Sequence, residues 1–493
     1  MHANKEVDQF SWPDFFDLWR LPETSQPPCI MMPNLGGELL PIARAPYSDL
    51  PEDGPRFSEF PKLEKPAVLF VFRTQSIGGD HRYHVGLMEY LREQGYFVVA
   101  VALRDGSLEF EQEIQQAADV VYVPARTIPL DWYPAFLSWL ISYYGIRTAI
   151  STNSPLYLRF LAYLRARHPG VLFADIAHLV MPTVSSGGHA RWTLMFESQL
   201  DLIFTESEAV RTWLMEHGLD KSKVHRLGPM LDVEWWSKTA ADAQRMRRAL
   251  ELIPENLHLV FHGRLEQVKR PRLLLEVFAQ LIKQFPFLRL TFAGSGSEEA
   301  TLRKQVESCK LADSVRILGS LNAEGVRELL AAADIAVLPS QNEGLSLAMV
   351  EAMAMECVVV TADVGGHSEL ITPDCGVLIA PSALDEKDYF DVLANLIADP
   401  TSRRSYSHQA RRVVVEQCDT QKIAHDFLGL LEVAARAGQR NHPVPISLGK
   451  TLALDGIEKF RTTQGRLKLT GTQKTLHTML QRRVQQSRVR QNP

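Results

Sequence analysis

Runs of residues that are apolar at every position recur along the chain, each followed by a loop and a stretch of helical periodicity. The clearest lies in KPAVLFVFRTQSIGGDHRYHVGLMEYLREQGYFVVAVAL, which begins at Lys65. Ala67 to Phe72 is unbroken apolar, then comes a glycine loop, a helical stretch from about His81 to Gln94, and a second apolar run from Phe97. A strand apolar on both faces is covered on both faces, the mark of a parallel sheet flanked by helices. The segment is therefore predicted to be a βαβ unit. VVYVP, RTAIST, VLFADIAH and LDLIFTES continue the series of strands.

From about Pro229 to Glu255 the pattern gives way to a charged helical segment, ADAQRMRRALELIPENL, and the strand–loop–helix order then starts again. LHLVFHGRL, LRLTFAGSG, SVRILGS, ADIAVLPS and ECVVVTAD are the strands of this second series. The fold class is therefore α/β, with two Rossmann-like domains facing each other across a cleft and extensions at both ends. The predicted divisions are an N-terminal extension at 1–64, a first domain at 65–232, a second at 233–416, a helical segment at 417–440 that packs back on the first domain, and a tail at 441–493. No internal repeat of solenoid length is present. Ligands of such a pair are expected between the domains.

Composition narrows the class. Of 493 residues, 45% are hydrophobic and 23% charged, which is ordinary for a globular protein. The five cysteines lie far apart without a C-x-x-C or Cys/His spacing, so a disulfide framework or a zinc site is not expected and a reducing cytoplasm is. The N-terminus shows no basic region leading into an apolar core, so no signal peptide is expected. No apolar stretch reaches the length that spans a bilayer. The net charge of −5 is uneven: from Arg440 onward eleven Lys/Arg stand against two Asp/Glu, leaving −14 on the preceding 439 residues. A basic tail on an acidic body suits an anionic partner, although a solvated tail explains it equally.

Four stretches of the second series carry candidate chemistry. In FHGRLEQVKRP, Gly263 lets the backbone turn while Arg264 and Lys269 follow the strand. A guanidinium fork and a compact ammonium together suit a diphosphate. FAGSGSEE places Gly294 and Gly296 in a loop that serves either a close ligand approach or a tight turn. PSQNEGLSLAMVEAMA sets Glu343 and Glu351 eight positions apart, with Ser346 expected to cap the intervening helix through its hydroxyl. DVGGHSEL carries two glycines before Glu369, which is expected to cap the next turn.

The order Gly-Arg-x(4)-Lys, Gly-x-Gly, Glu-x(7)-Glu, Gly-Gly-x-x-Glu resembles the C-terminal domain of retaining GT-B glycosyltransferases, notably glycosyltransferase family 4. The resemblance covers about residues 66–440 and is most specific from 258 to 381. It implies that Arg264 and Lys269 bind the donor diphosphate and stabilise the leaving nucleotide. Glu351 would take the ribose hydroxyls, and Glu343 would sit beside the sugar. The N–H groups around Gly344, Leu345, Ser346 and Leu347 would add a helix N-terminus to the phosphate cradle. RTQSIGGDHRYHV resembles the family's first glycine loop, with Gly78 and Gly79 approaching diphosphate and acceptor, but Asp80 and His81 stand where the family often has a glutamate. His178, ending VLFADIAH, resembles a histidine that faces the sugar, though a lone histidine is equally a structural residue.

The function so implied is retaining transfer of a sugar from a nucleotide-diphosphate sugar to a hydroxyl of a glycan or lipid-linked acceptor, in envelope polysaccharide or glycolipid synthesis. No metal and no cofactor are expected, and no nucleic-acid partner. Two other readings share the architecture: a nucleotide-sugar sensor of little catalytic power, and a hydrolysing sugar-nucleotide epimerase. The aromatic stretch Leu130 to Ile146 and the arginines Arg159, Arg165 and Arg167 suggest, with the basic tail, a peripheral position on the anionic inner face of a membrane. Core packing explains the same two stretches.

Overall fold

The computed structural model describes residues 63–437, apart from short loops at 74–78, 105–110, 127–129, 131–132, 153, 181–187 and 383–384, together with two short strands near the N-terminus. Those two, β1 (Met31–Pro33) and β2 (Leu39–Pro41), pair antiparallel. The rest of residues 1–62 of the predicted 1–64 extension, Gly78 and the basic tail from 441 lie outside the described residues.

The first domain is built on seven parallel strands: β3 (Ala67–Phe72), β4 (Phe97–Ala102), β5 (Val120–Tyr122), β6 (Thr148–Thr152), β7 (Leu172–Ala177), β8 (Leu202–Thr205) and β9 (Val224–Arg226). Their spatial order is β5-β4-β3-β6-β7-β8-β9. Every residue of β3 is buried, Leu69 and Val71 in one apolar layer and Val68, Phe70 and Phe72 in the other. That explains the absence of polar alternation in its sequence.

The second domain repeats the plan with six parallel strands: β10 (Leu257–His262), β11 (Leu288–Ala293), β12 (Val315–Ile317), β13 (Ile335–Leu338), β14 (Val358–Ala362) and β15 (Gly376–Ile379). The order is β12-β11-β10-β13-β14-β15. Leu259 and Phe261 of β10 face one apolar layer and Val260 the other. The edge strands β9 and β15 escape a reading of apolar pattern, because three or four residues at a sheet edge show neither a long run nor alternation.

The chain crosses between the domains twice at one place. Leu231 donates its N–H to the Cys418 carbonyl at 2.8 Å, and Thr420 donates to the Leu231 carbonyl at 3.0 Å. Helix Pro400–Gln417 stays with the second domain, where Arg411 donates to the carbonyls of Val233 and Trp236 at 2.7 and 2.6 Å and so ties down the first crossing. Helix Thr420–Arg436, capped by Asp419, returns to the first domain. Its Ile423, Phe427 and Leu431 enter the layer that holds Val68, Phe70 and Leu87.

One part of the basic surface read from the sequence is corrected here. Arg165 is 3% exposed and points inward, donating to Asp201 at 2.6 Å and to the Gln199 carbonyl at 2.8 Å. A buried guanidinium so paired is a core element and cannot meet an external anion. The aromatic helix Tyr133–Tyr143 likewise buries Tyr133, Phe136, Leu137, Leu140 and Ile141. No helix among the described residues is long and apolar enough to cross a membrane.

Candidate active site

In each sheet the strand order reverses direction beside one strand pair, β3/β6 in the first domain and β10/β13 in the second. Open parallel sheets bind ligands in the crevice outside the carboxyl ends of such a pair. In the second domain the loops that leave β10 and β13 carry the candidate residues. Gly263 and Arg264 follow β10, and Lys269 closes the short helical turn Gln267–Lys269. Glu343 lies in the loop after β13, and Glu351 on helix Leu347–Ala354.

Lys269 and Glu343 are joined by a direct ion pair between Nζ and Oε1, both half-buried to buried. Glu351 is 4% exposed, and its Oε2 accepts from His262 Nε2 at 3.1 Å. Its other oxygen accepts from Arg82 of the first domain. Arg264 is exposed. Beside it the Glu266 carboxyl is held below its usual range by hydrogen bonds from the hydroxyl and N–H of Ser297, with Arg264 adding to the effect. Gly294 belongs to the same surface because a Cβ there would stand 1.9 Å from the Gly263 carbonyl oxygen. Only a glycine lets the β11 loop pack so closely on the β10 loop. Gly296 follows in that loop, against the Leu265 carbonyl.

Ser346 occupies the N-cap position of helix Leu347–Ala354, but its hydroxyl makes no capping bond. The expected side-chain cap is thus absent. The short Leu347–Ala354 helix is instead held by burial of Leu345, Met349, Val350 and Met353.

At the switch of the first domain four polar side chains from four elements are bonded together. His178, just after β7, contacts Glu206 through Nδ1 at 2.5 Å and Thr152 Oγ1 through Nε2 at 2.9 Å. His84, on helix Gly79–Glu93, reaches Thr152 Oγ1 at 2.5 Å and His178 Nε2 at 2.9 Å. A carboxylate only accepts, so Nδ1 of His178 carries the proton and donates to Glu206, which leaves Nε2 to accept from the threonine hydroxyl or from His84. Tyr83 packs edge-on to His178, ring centroids 5.6 Å apart. Burial, and then the nearby Glu206 charge, push the Tyr83 phenol well above its ordinary range. His178 thus has both ring nitrogens engaged inside the domain. Gly79 begins helix Gly79–Glu93 at the same edge.

The two crevices meet. A Cβ on Gly344 would lie 2.2 Å from the carbonyl oxygen of His178, so this glycine is one point where the second domain touches the first. Glu369 does not cap the next turn, as its position in DVGGHSEL suggests. It reaches across to helix Glu208–Glu216, accepting from the N–H groups of Glu208 and Ala209 at 2.8 and 3.0 Å, and from Arg226 at 3.0 Å. Those amides are orphan donors at a helix start, where a carboxylate is favoured.

Sequence reasoning missed Arg82, Glu206, Thr152, His84 and His262. Thr152, Glu206 and His262 end or follow strands, as His178 does, and that shared position was the available signal. Arg82 carries no such mark, because its partner is 269 residues away.

Comparison with known proteins places this geometry. Residues 242–413 match the family model described as Glycosyl transferases group 1. A D-inositol 3-phosphate glycosyltransferase of Pseudarthrobacter chlorophenolicus is 33% identical over 205 residues, 40% of this chain and 47% of that protein. A glycogen synthase of Mycobacterium tuberculosis is 26% identical over 303 residues, 61% of this chain and 68% of that protein. The chain spans about half the length of the first of these curated relatives. Among solved structures, Anabaena HepE in complex with UDP-glucose superposes with a TM-score of 0.64 at 18% identity, over 74% of this chain and 99% of that one. WaaG, a glycosyltransferase involved in lipopolysaccharide biosynthesis, gives 0.57 at 15% identity over the same 74% and 99%. The chain has the GT-B fold, and the stretch that matches the glycosyl transferases group 1 model lies in its second domain.

Proposed function

We propose that the protein is a glycosyltransferase that binds a nucleotide-diphosphate sugar in the crevice at β10/β13 and passes the sugar to a hydroxyl acceptor held by the first domain. The observation that carries this reading is the meeting of Lys269, Glu343 and Glu351 at the switch point of one parallel sheet, directly facing that of another. Lys269 and Arg264 supply the positive charge that a diphosphate leaving group needs as it gains negative charge. Glu351 takes the ribose diol, since one carboxylate accepts two neighbouring O–H bonds. Glu343, held by Lys269, contacts the sugar as the anomeric bond loosens.

The chemistry balances without a protein nucleophile. The bond from the anomeric carbon to the phosphate oxygen breaks, and the nucleoside diphosphate keeps the electron pair. The acceptor oxygen forms the new bond on the same face, and its proton passes to the departing diphosphate, which retains the anomeric configuration. The first domain's contribution is position: His178 is fixed by Glu206, Thr152 and His84, and its backbone carbonyl sets how closely Gly344 approaches. One relative is a D-inositol 3-phosphate glycosyltransferase and another a glycogen synthase, and HepE is solved in complex with UDP and with UDP-glucose, so a UDP-sugar and a polyhydroxylated acceptor are the first to try.

The test is a panel of UDP-, GDP- and ADP-sugars, scored for thermal stabilisation and for slow sugar release without acceptor. A ligand bound only by the native chain raises its melting temperature. Stabilisation by one sugar nucleotide together with slow hydrolysis is expected. No stabilisation by any of them would overturn the reading, and stabilisation with no sugar release would leave a sensor in its place.

A further inference from the structure

Among the cross-domain contacts, one engages a group that the proposed donor itself needs. Arg82 lies in the first turns of helix Gly79–Glu93, which leaves the β3 side of one switch point. Glu351 lies on helix Leu347–Ala354, which leaves the β13 side of the other. The guanidinium bonds Glu351 Oε1 while His262 bonds Oε2, so both oxygens of this buried carboxylate are taken. Trp236, near the first interdomain crossing, lies 5.8 Å from the Arg82 guanidinium carbon and helps to hold it there.

We propose that Arg82 is a lock on the donor site: it neutralises Glu351 across the closed cleft, and the ribose of an incoming nucleoside diphosphate must displace it. The proposal rests on the donor reading above and adds to it a competitor built into the first domain.

Three observations support the displacement. A carboxylate buried as deeply as Glu351 is costly unless it is paired, and Arg82 supplies the pairing charge. His262 gives Glu351 a single N–H from Nε2 and leaves its buried Nδ1 without a partner among the described residues, so the guanidinium is the stronger of the two contacts. The two partners of the ion pair also differ in freedom. Arg82's side chain is 28% exposed and Glu351's is 6%, so the arginine can swing into solvent while the glutamate stays. A ribose diol offers two O–H donors and replaces the hydrogen bonds the guanidinium gave up.

Binding through such a lock lowers apparent affinity by the fraction of molecules in which the site is open. A lock populated in about 70–90% of ligand-free molecules raises the dissociation constant by about three- to tenfold. Removing the arginine is therefore expected to tighten nucleotide binding, the opposite of what loss of a cation near a diphosphate does. It also cuts one tie between the domains, so the acceptor and donor crevices come together less often.

Titration calorimetry with UDP, GDP and ADP on the full chain, Arg82→Gln, Glu351→Gln and the double variant tests this. Arg82→Gln is expected to bind its preferred nucleoside diphosphate about three- to tenfold more tightly than the parent, and the gain is expected to vanish in the Glu351→Gln background. If Glu351→Gln weakens binding while Arg82→Gln binds no better than the parent, the lock is overturned and the donor reading stands. If Glu351→Gln binds like the parent, or if none of the three nucleotides binds the parent, the ribose role of Glu351 falls and the lock falls with it. A variant merely destabilised by loss of an ion pair would bind no more tightly, so a gain in affinity cannot come from a structural defect.

Discussion

The second domain lines the cleft with charged side chains on loops, Lys269 paired with Glu343, whereas the first, Arg82 apart, lines it with a buried polar network of side chains bonded to one another. Lys269, Glu343 and Arg264 stand on loops over the β10/β13 crevice, and Arg264 is exposed. His84, Thr152, His178 and Glu206 form a closed network under the β3/β6 crevice, with His178 6% exposed. The difference teaches how one architecture divides labour. An activated, highly charged donor calls for counter-charge set where charge develops, while an acceptor that needs only placing calls for a hydrogen-bonded floor.

The largest expected break in that comparison comes from the charged side. Lys269→Ala or Arg264→Ala is expected to lower transfer by about 10²- to 10³-fold, the cost of removing one group that stabilises developing charge. Far-UV dichroism and melting temperature should stay near the parent's. Transfer within threefold of the parent in both variants would move the chemistry out of the second domain. Because Lys269 is paired with Glu343, the double variant with Glu343→Gln checks that an unpaired carboxylate is not the cause.

A smaller effect probes the contact between the two floors. Gly344→Ala places a methyl group 2.2 Å from the His178 carbonyl oxygen, so the domains must part by about an ångström. A misplacement of that size costs about a hundredfold in rate. Nucleotide affinity is expected to fall far less than the rate, and to rise if the parting also frees Glu351 from Arg82. An equal loss in binding and in rate would show that the glycine serves the donor loop rather than the junction.

The smallest effect sharpens the comparison through stability. Each domain holds a histidine whose pKa burial pushes down to about 4: His258 in the second, bonded to the Ala332 carbonyl, and His168 in the first, beside Ser138 with Arg167 adding to the depression. Both imidazoles are neutral in the folded chain and take up protons near their ordinary pKa when it unfolds. Stability is therefore full above about pH 6.5 and is lost as pH falls towards 4, by about 1–2 kcal/mol per histidine at pH 5. Urea unfolding at pH 7.5 and 5.0 measures it, and His168→Gln should remove only the first domain's share. An unchanged pH dependence in that variant would mean that His168 is not shielded in the folded state.

Much of the fold was legible in the residues because strands such as AVLFVF and IAVL are apolar throughout, a pattern that few other elements produce. The edge strands β9 and β15 were not, being too short to carry a pattern. At the site, Arg264, Lys269, Glu343 and Glu351 could be singled out since they lie within one domain and close to strand ends. Glu369 misled: its local sequence suggests a cap on the next turn, while its partners, Glu208, Ala209 and Arg226, lie 143 or more positions earlier. Ser346 misled in the other direction, sitting at the cap position without making the bond. Arg165 reads as surface charge until Asp201 is brought beside it. In each case the deciding partner comes from folding at long range, which spacing along the chain does not encode.

The return of helix Thr420–Arg436 to the first domain has a consequence for biosynthesis. Ile423, Phe427 and Leu431 complete a layer whose other members, Val68, Phe70 and Leu87, emerge from the ribosome some 350 residues earlier. The domain that is translated first is thus the one that finishes last, and it waits with an open apolar face while the later domain closes on itself. A nascent chain of this protein presents that face to chaperones throughout most of its synthesis.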